Sequence, residues 1–154
     1  MELIWIGPSK PEVLRNTIEI YQERIAKYTE LNITLLKNIK GIEDGARLTA
    51  EEEKLIKKQI INKNRYVVLL DEKGKQFTSR EFASWLETKR MNTRGEITFV
   101  FGGSFGFSET FKADADEILS FSKMTFSHQI IRLVFMEQLY RAFTILNNQP
   151  YHND

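Results

Sequence analysis

Two kinds of apolar pattern alternate along the chain. Near-continuous apolar runs at residues 3–6 (LIWI), 66–70 (YVVLL) and 97–101 (ITFVF) suit strands covered on both faces. Residues 31–36 instead alternate Leu31, Ile33 and Leu35 with Asn32 and Thr34, the period of a half-buried strand. Between these runs apolar residues recur at helical spacing: Leu14, Ile18, Tyr21 and Ile25, then Leu55, Ile56 and Ile60, then Phe82, Trp85 and Leu86. A serine or threonine followed three residues later by glutamate marks each helix start, as Ser9 with Glu12, Thr49 with Glu52 and Thr78 with Glu81. A turn is expected within Asp71–Lys75. Ser108 is placed to cap a short helix reaching about Asp116, residues 118–121 supply a fifth strand, and Gln129 to Leu146 form a long helix. Five strands alternating with five helices predict an α/β fold, a mostly parallel sheet with helices on both faces, in one domain over residues 1–154.

The last helix departs from the amphipathic pattern of the others. Leu133, Met136, Leu139 and Tyr140 mark one face, while Phe135, Phe143 and Ile145 add apolar residues elsewhere. A helix apolar nearly all round is deeply buried or shared with a second subunit, and in a chain this short a homodimer seam is expected. Arg132 and Arg141 on it then require acidic, phosphate or carbonyl partners.

Composition narrows the chemistry. The chain of 154 residues has no cysteine, which removes disulfides, thiolate metal sites and cysteine nucleophiles together. No apolar stretch approaches the ~18 residues of a membrane span, and the N-terminus lacks a basic lead-in, so a soluble cytoplasmic protein is expected. Two histidines without H-E-x-x-H spacing argue against a metal site. The formal net charge of +1 argues against indiscriminate nucleic-acid binding but leaves room for a local basic patch.

In open parallel sheets ligands bind beyond the carboxyl ends of the strands, which directs attention to the loops after Leu70, Phe101 and Phe121. No P-loop occurs, and the first strand is followed by Gly-Pro-Ser rather than a dinucleotide fingerprint. Gly102, Gly103 and Gly106 would let backbone approach a ligand closely. Gly102-x-Ser104-x-Gly106 also matches the nucleophile elbow of hydrolases, with Asp114 or Asp116 and His128 following in order, which keeps a small serine hydrolase as an alternative. At the other end, Tyr151 and His152 form an aromatic and titratable pair that no helical pattern explains.

The segment LSFSKMTFSHQIIRLVFMEQLYRAF, residues 119–143, together with the closing PYH, resembles the RlmH family, SPOUT-class methyltransferases of 23S rRNA pseudouridine. The similarity extends over essentially the whole chain. It implies a sheet whose C-terminal part is threaded into a deep trefoil knot, with S-adenosylmethionine bound against three loops. The matching positions are Leu70, Gly102, Gly103, Ser122, Lys123, Met124, Thr125, Phe126 and Ser127. The resemblance further implies methylation of the N3 of a pseudouridine on the assembled ribosome, with Tyr151 and His152 orienting the base or accepting its proton and Arg132 neutralising phosphate or a developing imide anion. No metal is implied. A ribosome-binding factor that kept the fold but lost the chemistry is the other alternative. Two positions depart from the family pattern: Ser127 stands where relatives usually carry proline, which removes one fixed φ angle from the cofactor loop, and the tail ends Asn153-Asp154 rather than on a basic or mixed residue.

Overall fold

Five parallel strands form one sheet in the order β2-β1-β4-β3-β5. Along the chain the elements are β1 (Glu2–Ile6), α1 (Glu12–Ile25), β2 (Asn32–Leu36), α2 (Gly45–Ile60), β3 (Arg65–Gln76), α3 (Ser79–Asn92), β4 (Glu96–Phe101), α4 (Glu109–Ala113), β5 (Glu117–Ser120) and α5 (Ile130–Leu146). The computed structural model describes residues 1–61 and 64–151.

Successive side chains of a strand point to opposite faces, and both faces are covered here. Leu3, Trp5, Val68, Leu70, Phe99 and Phe101 join α1, α3 and α5 in the larger core, while Ile4, Ile6, Leu69 and Val100 meet Ile56 of α2 and Phe111 of α4 in the smaller one. The near-continuous apolar runs follow directly from this double burial. The apolar breadth of α5 has a similar cause. Phe135, Met136, Leu139, Ala142 and Phe143 are buried against α1, α3 and the sheet, with the Phe135 ring 4.7 Å from Phe99 and edge-on to Phe101 at 5.2 Å. Much of the pattern read as a subunit seam is therefore satisfied within the chain.

One local signal held and three were overridden by tertiary context. The capping box Thr78/Glu81 forms as expected, with Glu81 N donating to Thr78 Oγ1 at 3.2 Å and Thr78 N donating to Glu81 Oε2 at 2.7 Å. The same signal at Thr49/Glu52 does not open a helix, because α2 starts earlier, where Arg47 N donates to Asp44 Oδ1 at 2.7 Å. Thr49 and Glu52 are interior, buried positions of α2. Ser9 does not cap α1, whose N-cap is Pro11; its hydroxyl instead accepts from Arg132 Nη1 at 3.4 Å.

The turn expected within Asp71–Lys75 is instead part of a long β3. Leu70 and Lys75 both register with Leu119 of β5, so the intervening residues form a bulge rather than a reversal. Gly74 permits it, since a Cβ there would lie 2.5 Å from the Leu119 carbonyl carbon. The remaining boundaries shift by a residue or a few: α4 ends at Ala113 rather than near Asp116, β5 begins at Glu117, and α5 begins at Ile130.

Candidate active site

The carboxyl ends of β3, β4 and β5 open onto a cavity of about 740 Å³. Three loops line it: the bulge after Leu70, the glycine loop 102–107 after β4, and the segment between β5 and α5. Of the nine positions read as cofactor contacts, Leu70, Gly102, Gly103, Ser122, Met124, Thr125, Phe126 and Ser127 line the cavity; Lys123 is exposed and does not. Residues 70 and 127 thus converge although the chain between them crosses two strands and two helices.

Each loop is held by polar contacts that leave its apolar side chains free. Ser120 Oγ donates to Ser122 O at 2.8 Å, and Ser122 Oγ accepts from Met124 N at 2.8 Å. Thr125 Oγ1 donates to Glu72 Oε2 at 2.5 Å, fastening this segment to the β3 bulge. Ser127 Oγ accepts from Ile130 N, so the serine standing in place of the family's usual proline contributes to the start of α5. Met124 is 76% exposed and Phe105 60% exposed, both on the cavity wall. Large apolar side chains left open around a concave site are what a flat heterocycle would cover.

The glycine loop is confined from behind by α2. A Cβ on Gly45 would fall 2.9 Å from the Phe105 ring, and one on Gly103 would fall 2.2 Å from Glu52 Oε2. Glu53 accepts from Ser108 N at 2.6 Å and from Ser108 Oγ at 2.9 Å, securing the far end of the loop. Glu52 is buried, its Oε2 has no hydrogen-bond partner among the described residues, and burial raises the pKa of its carboxyl.

Gly103→Ala is accordingly expected to push the Glu52 carboxylate or the loop aside and to weaken ligand binding in the cavity about 10- to 100-fold, the usual 1–3 kcal/mol of overpacking. Adding Glu52→Ala should restore much of the loss. Calorimetric titration of both variants with S-adenosylmethionine checks this, and no difference between the single and double variants would refute it.

Sequence reasoning missed two polar residues on the wall, Asp71 and Lys112. They form a buried ion pair at 2.9 Å. Burial alone would lower the Lys112 pKa, but Asp71 outweighs it and the ammonium is held charged. His128 Nδ1 lies 3.4 Å from Ser104 Oγ, and burial followed by the charge of Arg132 lowers its pKa, which keeps the ring neutral near pH 7. The hydrolase pattern thus brings serine and histidine together without an orienting acid: Asp114 pairs with Lys57 at 3.2 Å, and Asp116 Oδ2 accepts from Val67 N at 2.7 Å. No sequence spacing signals the contacts of Asp71, Asp114 and Asp116, since each joins residues from different elements.

Of the residues read as catalytic, Arg132 and Tyr151 lie elsewhere. Arg132 is fully buried, with Nη2 donating to Ile6 O at 2.6 Å and Nη1 to Gly7 O at 3.2 Å, and its guanidinium stacks over Trp5 at 5.1 Å. Burial lowers its pKa to about 10. It has carbonyl partners, one of the three kinds expected, and it is buried with its Nε without a hydrogen-bond partner among the described residues. Tyr151 packs on α5 itself, edge-on to Tyr140 at 4.8 Å and beneath the Arg141 guanidinium at 4.8 Å. Burial and the neighbouring Tyr21 push its pKa up to about 12. It does not line the cavity of its own chain. His152 lies outside the described residues.

Residues 1–152 match the family described as "Predicted SPOUT methyltransferase". Two similar curated proteins are both named "Ribosomal RNA large subunit methyltransferase H". One, from Geobacter metallireducens, is 42% identical over 153 residues, covering 99% of this chain and 98% of the relative. The other, from Parabacteroides distasonis, is 43% identical over 155 residues, with 99% and 98% covered. Among solved structures, a probable methylase family protein from Haemophilus influenzae matches with a TM-score of 0.58 at 15% identity, covering 99% of this chain and 70% of that one, a likeness of fold. The chain belongs to the SPOUT methyltransferase family.

Proposed function

We propose that this protein transfers the methyl group of S-adenosylmethionine to N3 of a pseudouridine in 23S ribosomal RNA, acting in the cytoplasm on the assembled ribosome. The observation that carries the reading is the convergence of Leu70, Gly102, Gly103 and residues 122–127 on one cavity of a size suited to a nucleoside-bearing ligand. Similarity along the whole chain to relatives named for methylating large-subunit ribosomal RNA supports the substrate class. On this reading the C-terminal segment is threaded as the family's trefoil knot.

The residues present fit the cofactor. Leu70, Met124 and Phe126 offer apolar surface for an adenine ring, and Gly102 and Gly103 leave the backbone open to the methionine portion. When bound, the cofactor supplies an electrophilic methyl group on a cationic sulfur. The chain then has to hold the target nitrogen in line with that methyl and accept the imide proton, and positioning supplies much of the rate enhancement. His152 is assigned the proton and Tyr151 the orientation of the base. Because Tyr151 rests on the outer side of α5, the tail serves the cavity of a second copy, which makes the working unit a homodimer. Arg132 acts as a positioning residue, holding the turn after β1 against α5.

Incubation with methyl-labelled S-adenosylmethionine and ribosomes lacking the modification is expected to place one label in large-subunit RNA, at a pseudouridine when mapped by mass. Transfer to no ribosomal substrate would overturn the reading. A protein that only binds ribosomes would show neither transfer nor heat on titration with S-adenosylmethionine.

A further inference from the structure

A second groove, of about 770 Å³, lies between the loop after β2 and the outer side of α2. Five lysines line it, Lys37, Lys40, Lys54, Lys57 and Lys58, against a single carboxylate, Glu51. All five are exposed. Lys54 is engaged with Glu51 at 2.5 Å and Lys57 with Asp114 at 3.2 Å, whereas Lys37, Lys40 and Lys58 form no ion pair with a described residue. In a chain whose net charge is only +1, this concentration of unneutralised cations is local rather than general. Ile39 and Leu55 give the groove an apolar floor.

Its position relates it to the active site. The strands are parallel, so the loop carrying Lys37 and Lys40 emerges at the same sheet edge as the three loops of the cavity. Helix α2 lines the groove and packs behind the glycine loop of the cavity. Gly45, Glu52 and Glu53 press on the glycine loop, while Glu51, Lys54, Leu55 and Lys58 face the groove. A helix is about 10–12 Å across, which corresponds to about three to four stacked nucleotides.

We propose that this lysine groove binds the phosphodiester backbone of the substrate RNA a few nucleotides from the base that enters the cavity. The inference rests on the RNA methyltransferase reading and adds its docking surface. Lysine ammonium groups meet phosphates as point charges without reading sequence, and the apolar floor accepts a ribose or base edge. The groove accounts for how a protein of near-zero net charge holds a polyanion: it concentrates cations on one face and leaves the base to the cavity.

The test compares the parent protein with a Lys37→Gln, Lys40→Gln, Lys58→Gln variant and with a control, Lys27→Gln, Arg94→Gln, whose charges lie at the opposite end of the strands. Methyl transfer to ribosomes is measured against salt, together with S-adenosylmethionine affinity and anisotropy of a fluorescent single-stranded RNA oligonucleotide. The groove variant is expected to raise KM for ribosomes about tenfold at 0.15 M salt and to flatten the slope of log affinity against log salt by about two, from roughly 0.7 per phosphate contact. Oligonucleotide binding should weaken in step, with cofactor affinity unchanged. Unchanged KM and slope, or an equal loss in the control, would overturn the proposal. A loss on ribosomes with oligonucleotide binding intact would assign the groove to an acidic protein instead and overturn it too. If the parent transfers no methyl group, the underlying reading fails, and the oligonucleotide arm still decides whether the groove binds RNA.

Discussion

Replacing Arg132 by methionine is expected to lower stability by about 2–5 kcal/mol, because two buried carbonyls, Ile6 O and Gly7 O, lose their donors and each orphaned group costs about 1–3 kcal/mol. Removing a buried cation can be neutral when its partners are replaced with it. Here the partners are backbone and cannot be replaced. At about 2–4 °C per kcal/mol for a chain of this size, the melting temperature should fall by roughly 5–20 °C. Gln129 also ties the start of α5 to the same turn, accepting from Lys10 N at 2.9 Å. Gln129 directly follows the segment that ends at His128 on the cavity wall and Arg132 lies about one turn further along, so S-adenosylmethionine affinity should fall with stability. Thermal unfolding followed by circular dichroism provides the check. A melting temperature within about 2 °C of the parent would show that other contacts carry this corner of the fold.

The second large effect concerns the tail. His152→Ala should slow methyl transfer about 10²- to 10⁴-fold, the range for loss of a positioned proton acceptor, while leaving S-adenosylmethionine binding unchanged. If the tail works across a homodimer, mixing His152→Ala subunits with subunits disabled in the cavity by Gly102→Val should restore activity that neither has alone, since one heterodimer site then combines an intact cavity with an intact tail. Single-turnover rates on ribosomes, with sedimentation to verify the mixed dimer, would measure this. An unchanged rate in His152→Ala removes that residue from the chemistry. A mixture no more active than its components places each tail at its own subunit's cavity.

How much of this was readable in advance differs from element to element. The runs 3–6, 66–70 and 97–101 were legible because double burial leaves few polar positions to interrupt them, and Thr78/Glu81 was legible because a capping box closes on itself within one turn. The identical spacing at Thr49/Glu52 misled. Asp44 lay upstream to cap α2, and Glu52 was needed against Gly103. That the segment between β5 and α5 faces the cavity was legible through the resemblance of residues 119–143. The wall pair Asp71–Lys112 was not, because nothing local distinguishes a carboxylate that meets a lysine of another element from one that meets water. The lysines of α2 lie far in sequence from Lys37 and Lys40, and only folding sets the two groups opposite each other.

Sequence by itself determined which segments are strands and helices and that the sheet is parallel and covered on both sides, since side-chain periodicity and the order of elements are local properties set by burial. Tertiary structure alone decided that Arg132 straps the turn after β1, that β3 continues through a bulge made possible by Gly74, and that one helix backs both a ligand cavity and a basic groove. Those outcomes depend on which residues from distant elements compete for the same few ångströms. That competition is settled by packing and hydrogen-bond satisfaction over the whole chain.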